Sequence, residues 1–261
     1  MITTWWGLGL MAVVVSALAM LATAYAAHRA GRVSVVDVTW GLALAAIAVV
    51  AAVVGTATPW RRWLVALLVV VWGVRLASHI VRRARGAGEA PRYAELLGDG
   101  GTAAAFRKVY LVQGLVICLI SLPTLAAAHS EVVSAPLVWV GVLVWVVGVL
   151  FESVGDAQLA AYKRDPDRGP VMDRGLWAWT RHPNYFGDAC LWWGIWVAGG
   201  LASGWIPALV SVVSPVAMTY FLRNVTGAKL LEKTMGTRPG WEAYAARTPL
   251  FFPRPPRRSS R

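Results

Sequence analysis

Apolar runs of about 20 residues recur along the whole chain, at 5–27, 34–54, 60–81, 108–127, 136–158, 184–201 and 205–223. At ~1.5 Å rise per residue, each is long enough to cross the ~30 Å hydrocarbon core of a bilayer as a helix. The pattern predicts an all-α integral membrane protein with seven transmembrane helices. Composition agrees: 57% of residues are apolar, only 15% are charged and 15 are Trp, with a mean hydropathy of +0.56, outside the range of soluble domains. Trp residues sit near many span ends, where an amphipathic ring prefers the interface. Gly55-Thr56-Ala57-Thr58-Pro59 and Gly199-Gly200 mark tight turns between spans.

Charge sets the orientation. The net charge of +12 is concentrated in connecting segments, which argues for topology rather than nucleic-acid binding. If the connections between spans 1–2, 3–4 and 5–6 share one side with the C-terminal tail, that side holds all of the 25 Lys and Arg except Arg61, Arg62 and Arg75. The positive-inside rule then places the N-terminus outside and the C-terminus in the cytoplasm. Before the first run there is no basic n-region, so that run is expected to be a retained helix. No internal repeat is visible. One domain is expected over residues 1–253, followed by a disordered basic Pro/Arg tail at 254–261 that rests on anionic lipid. Cys118 and Cys190 both fall in apolar runs, which gives neither a disulfide scaffold nor a metal site.

Ionisable groups inside spans are costly and therefore functional candidates. Here they gather toward one side. Asp37 opens span 2, Arg75 and His79 lie in the cytoplasmic half of span 3, and Gln113 is early in span 4. Glu152 and Asp156 close span 5, Asn184 and Asp188 open span 6, and Arg223 with Asn224 closes span 7. Arg75/His79, Glu152/Asp156 and Asn184/Asp188 are spaced i,i+4 and so share a helix face. The set describes a polar chamber open to the cytoplasm, suited to a charged cofactor meeting a lipid-soluble substrate. A transporter would instead spread such groups across the full membrane depth. Between residues 162 and 183, Lys163, Arg164, Arg168, Arg174, Arg181 and His182 offer bidentate phosphate donors. Neither G-x-G-x-x-G nor a Walker A motif is present, and the four His (28, 79, 129, 182) are dispersed.

The block G-L-W-A-W-T-R-H-P-N-Y-F-G-D, with V-D-V-T-W-G (36–41), W-G-V-R-L-A-S-H-I (72–80) and W-E-A-Y-A-A-R-T-P-L-F-F-P (241–253), resembles the bacterial DUF1295 branch of the steroid 5-alpha-reductase family. The resemblance implies seven helices in a bacterial inner membrane and NADPH in a cytoplasm-facing site. It further implies reduction of a carbon–carbon double bond conjugated to a carbonyl in a lipophilic substrate. Carried over by position, it assigns Glu152, Asp156, Lys163, Arg164, Arg181, His182, Asn184, Tyr185, Asp188 and Arg223 to the cofactor. Asp37, Arg75 and His79 take the catalytic roles, with Asp37 polarising the carbonyl, and Trp40 and Trp72 face the substrate. No metal and no protein partner is implied. Three departures concern the steroid half: Glu152 stands where steroid reductases have Asn, Trp72 where they have a ketone-binding Tyr, and Gly227 and Leu231 replace tail His and Tyr. The segment Arg181-His182-Pro183-Asn184-Tyr185-Phe186-Gly187 also resembles the R-H-P-x-Y-x-G signature of membrane methyltransferases that use S-adenosylmethionine. Asp188, Asp156 and the match of spans 2 and 3 favour the reductase.

Overall fold

The computed structural model describes residues 1, 4–84, 86 and 88–256. The expected tail from 257 onward lies outside the described residues. All regular structure among the described residues is helical. In chain order the elements are α1 (Trp5–Ala30), α2 (Val36–Val54), α3 (Pro59–Arg83), the short α4 (Pro91–Leu97), α5 (Gly101–Ile120), α6 (Leu122–His129), α7 (Ala135–Arg164), α8 (Pro183–Gly199), α9 (Trp205–Met235) and α10 (Trp241–Arg247). Six of these, α1, α2, α3, α5, α7 and α9, are long and apolar enough to cross a membrane, as an integral membrane protein requires.

Three spans differ from expectation, each for a local reason. The fourth begins earlier, at Gly101, passes through a π-turn at Phe106–Tyr110 and stops at Ser121, because Pro123 cannot donate a helical N–H and clashes with the turn before it. The sixth, α8, has 17 residues, about 26 Å at 1.5 Å per residue, short of a ~30 Å core. The seventh extends past residue 223 to Met235 through a second π-turn, Phe221–Val225.

The chain divides into two compact units. One comprises Met1–Val138 and Ile195–Ser214, the other Trp139–Gly194 and Pro215–Arg261. In the first, α2 and α3 cross backbone on backbone at Gly41 and Gly73, where a Cβ on Gly41 would lie 2.7 Å from Gly73 O. Small residues at such crossings let membrane helices pack closely without a hydrophobic driving force between them. On α1, Thr23 Oγ1 bonds Thr39 Oγ1 at 2.7 Å and Ser16 Oγ donates to Gly114 O at 3.0 Å. Leu44, Ile47, Val65, Val69, Trp72 and Ile117 fill the space between. The turn after α1 is closed by Gly31 at φ +65°, a left-handed cap whose N–H reaches Ala27 O.

In the second unit α7 and α8 run antiparallel along a glycine seam. Gly155 faces Pro183 and Asn184, Gly148 faces Gly187 and Leu191, and Gly194 faces Trp145 and Gly141. Gly141, Gly148 and Gly155 recur every seven residues, as do Gly187 and Gly194, so each set forms one stripe along its helix. This seam fixes the ends of both helices, where the polar residues of this unit lie.

Candidate functional site

In the second unit the geometry starts from Pro183. Its missing N–H and fixed φ suit the first position of a helix, and Phe186 N bonds back to His182 O at 3.0 Å to begin α8. Asn184, one residue on, donates Nδ2 to Asp156 Oδ1 of α7 at 3.1 Å, while its own Oδ1 accepts from Tyr185 N at 3.0 Å. Gly155 leaves room for this approach: a Cβ there would sit 3.2 Å from Asn184 N. Glu152, one turn before Asp156, is 4% exposed, and Asp188, one turn after Asn184, is 7% exposed. Four polar side chains are thus held along the facing ends of α7 and α8, near the positive end of the α8 dipole, a setting that suits acidic side chains and anionic ligand groups.

Arg181 and His182 are held differently from what a free phosphate ligand would need. Arg181 Nε and Nη2 bind the two carboxylate oxygens of Glu232 at 2.7 and 3.2 Å, and Nη1 donates to Ala245 O and Thr248 O at 2.8 and 3.2 Å. His182 Nε2 lies 3.2 Å from the same Glu232 Oε1, and its ring, 1% exposed, stacks on Tyr185 with centroids 5.7 Å apart. Around them the C-terminal segment wraps the W-A-W-T-R-H block. Arg181 N bonds Pro249 O, Arg254 N bonds Trp179 O, and Thr180 Oγ1 donates to Phe251 O. Tyr244 Oη donates to Trp177 O at 2.6 Å, and burial pushes that phenol well above its ordinary pKa.

Lys163 and Arg164, at the end of α7, are exposed, as is Arg223 in the π-turn of α9. Beyond α7 the loop folds against α10 to form a cleft of about 330 Å³, with Tyr162, Arg168, Arg174, Tyr244 and Arg247 in its lining. Asp173 and Arg247 bridge loop to helix at 2.5 Å. Asp165 and Asp173 line the cleft too, and of its three guanidinium groups Arg247 is paired with Asp173 while Arg168 Nη1 donates to Lys163 O and Asp165 O.

In the first unit Asp37 is the acceptor of a small network. Arg92 Nη2 reaches its Oδ2 at 2.5 Å and Tyr93 Oη its Oδ1 at 2.6 Å. Tyr93 is 4% exposed, and burial together with the Asp37 charge pushes its phenol up, so that it stays protonated. Burial draws the Arg92 guanidinium down, but the Asp37 charge overrides it and leaves the group above its ordinary value. Glu89 anchors the same loop by accepting from Val33 N, Ser34 N and Ala90 N. Trp40 and Trp72 meet edge to face, centroids 6.2 Å apart. Arg75 and His79 are half-buried on α3.

The structure therefore joins Asp156 to Asn184, Arg181 to His182 through Glu232, His182 to Tyr185, and Trp40 to Trp72. Three residues outside the expected site set take part: Glu232, legible in the sequence only as a lone tail glutamate, Arg92 and Tyr93. The signal for the last two was Pro91 followed by Tyr93, Leu96 and Leu97 at helical spacing, which marks a helix start inside what reads as a charged loop.

Comparison with curated proteins and with solved structures gives no match. The family model described as protein of unknown function (DUF1295) does match, over residues 24–248, and the chain belongs to that family.

Proposed function

We propose that the protein is a membrane-embedded, NADPH-dependent reductase that transfers hydride to the C=C bond of an α,β-unsaturated ketone in a lipophilic, steroid-like or other lipid substrate. The observation that carries this reading is the polar cluster where the end of α7 meets the start of α8: Asn184 is bonded to Asp156 between the buried Glu152 and Asp188, and Asn184 and Asp188 fall within the block on which the reductase resemblance rests. The guanidinium-lined cleft beside α10 supports it, because its donor set suits phosphates and its volume suits a nucleotide portion. In this reading α8 also crosses, which brings the number of spans to seven, the N-terminus lies outside, and the site faces the cytoplasm of a bacterial inner membrane.

NADPH, when bound, supplies the hydride. Asn184 and Asp156 orient the cofactor through fixed hydrogen-bonding groups, and Arg168 and Arg174 hold its phosphates. Reduction of an enone builds negative charge on the carbonyl oxygen, which a donor must stabilise. Asp37 already accepts from Arg92 and Tyr93; in this reading the substrate oxygen takes the place of Asp37 as acceptor of the one Tyr93 O–H, which burial and the Asp37 charge keep protonated. Arg75 and His79 supply further donors on α3, and Trp40 with Trp72 provides an apolar wall for the substrate.

A second reading has one observation in its favour. The R-H-P signature resembling that of S-adenosylmethionine-dependent methyltransferases is held by a tail glutamate, Glu232, although Leu231 stands where those enzymes carry the other glutamate of a pair. Calorimetric titration of the detergent-purified protein with NADPH and, separately, with S-adenosylmethionine decides between them. Saturable NADPH binding that weakens in Asn184→Ala and Arg174→Ala variants is expected. Binding of S-adenosylmethionine alone would overturn the reductase.

A further inference from the structure

We infer that Glu232 is a positioning residue that fixes the cofactor-facing end of α8 from the C-terminal segment. The inference rests on the proposal that Asn184 contacts the cofactor. Helices normally begin with a Ser, Thr, Asp or Asn whose side chain caps the first free N–H groups. Here the residue before Pro183 is His182, which is not one of these, and the chain entering the helix must be held by other means. Glu232 supplies them. One carboxylate engages Arg181 through both oxygens and takes the His182 ring on the same Oε1, so two consecutive residues ahead of α8 are gripped from a single point 50 residues further along.

The grip is well placed to transmit position. Arg181 and Glu232 are only 13% and 20% exposed at their side chains, so the pair is largely shielded from water and from screening salt. Arg181 also ties down Ala245 O and Thr248 O, and its N–H is bonded to Pro249 O, so the carboxylate locks a guanidinium already embedded in the C-terminal wrap. Past His182 the chain has little freedom. Pro183 fixes φ, the next side chain is Asn184, and Gly155 packs against both. A shift of His182 is passed on to Asn184 within two residues and acts on its 3.1 Å bond to Asp156. Nothing in the sequence pattern around Glu232 announces this: its helical stretch, Ala228–Met235, is amphipathic and carries Lys229 and Lys233 besides Glu232.

The test uses the full-length protein in detergent, with Glu232→Ala, Glu232→Gln and, as a charge control on α10, Glu242→Gln. Two quantities are read: NADPH affinity by calorimetry, and amide hydrogen exchange resolved to peptides. Glu232→Ala is expected to weaken NADPH binding about tenfold or more, since displacements near 1 Å at a positioning contact have effects of that size or larger. Faster exchange is expected only across residues 180–187. Glu232→Gln, which keeps the shape and one acceptor, restores most of the affinity, and Glu242→Gln matches the parent. Unchanged affinity in Glu232→Ala despite faster local exchange would overturn the inference, reducing the contact to a structural tie. Faster exchange spread over the whole chain, with no rescue by Gln, would overturn it too. If the parent binds S-adenosylmethionine rather than NADPH, the reductase reading fails and Glu232 is judged by the same comparison with that probe. If the parent binds neither probe, the cofactor role assigned to Asn184 falls and takes this inference with it.

Discussion

Replacing Gly187 with Ala puts the glycine seam of α7 and α8 to a direct test. A Cβ at that position would stand 2.5 Å from Gly148 O and 3.0 Å from Glu152 Cα, both backbone atoms that cannot rotate aside. Ordinary contact between such atoms begins near 3.4 Å, so the helices must part by about 1 Å, and a gap of that size forfeits a quarter to a half of each surrounding dispersion contact. Overpacking of this kind costs about 1–3 kcal/mol. Gly9→Ala on α1 is the matching control, because a Cβ there meets nothing within 4 Å while the gain in helix propensity, about 1 kcal/mol, is common to both. The difference between the two variants is therefore the clash alone. At roughly 2–4 °C per kcal/mol for a chain of this size, Gly187→Ala should melt about 2–12 °C below Gly9→Ala in a detergent thermal scan. On the reductase reading it should also bind NADPH more weakly, since opening the seam by about 1 Å takes the 3.1 Å Asn184–Asp156 contact beyond hydrogen-bond range. A Gly187→Ala protein as stable as Gly9→Ala would refute the backbone-on-backbone crossing and the alignment of polar groups built on it.

Three further outcomes follow from the first unit. Arg61 is fully buried and donates to Ser203 Oγ, Ala127 O and Ser130 O, so Arg61→Met strands those acceptors and should lower stability by about 3 kcal/mol, read as an earlier thermal transition. For Glu89, burial pushes the carboxyl up, but the N–H groups of Val33, Ser34 and Ala90 outweigh it and hold the carboxyl below its ordinary value. Its contribution to anchoring the loop is thus complete above the unfolded value of ~4.3 and is lost as pH falls through the lower folded value; hydrogen exchange at Val33 and Ser34 should rise on that descent, and Glu89→Gln should be raised and flat in the same window. On the reductase reading, Tyr93→Phe deprives the Asp37 network of its hydroxyl, and turnover of an enone lipid, followed by NADPH oxidation, should fall about tenfold or more with NADPH affinity unchanged; equal turnover would remove Tyr93 from the chemistry.

What could be read from sequence follows the range of the interaction concerned. The first three helices and α7 were legible because an uninterrupted apolar run depends on nothing beyond itself. The fourth span lies earlier than its apolar run suggests because its helical start at Gly101 falls outside that run, and its end is legible only in the single letter of Pro123. Asp156 and Asn184 are each legible, since i,i+4 spacing to Glu152 and Asp188 marks their helix faces, but the hydrogen bond joining them is a tertiary fact. Glu232 illustrates the opposite limit. A lone carboxylate on an amphipathic stretch looks solvated, and its partners are 50 and 51 residues away. Arg92 and Tyr93 stand 55 and 56 residues from Asp37, in a stretch whose charge disguised a short helix. The seven-residue glycine stripes were present in the sequence throughout, but hydropathy does not distinguish a glycine facing lipid from one facing another helix backbone.

The same distinction between local and tertiary roles bears on Arg61 and Arg62, the pair that breaks the charge asymmetry. Counted as free charges they oppose the orientation assigned by the other basic residues. In the fold they cap helices: Arg62 Nη1 donates to Gly55 O at the end of α2, and Arg61 donates to Ala127 O and Ser130 O at the end of α6. A helix C-terminus carries partial negative charge on its unsatisfied carbonyls, so a guanidinium placed there is stabilised where it stands. Glu131 completes the arrangement by accepting from Thr58, three residues before Arg61. Two cations held in this way against helix ends are structural elements. On the proposed reading, in which the ends of α7 and α8 where Asp156 and Asn184 meet face the cytoplasm, Arg61 and Arg62 are therefore not counted as charges opposing it.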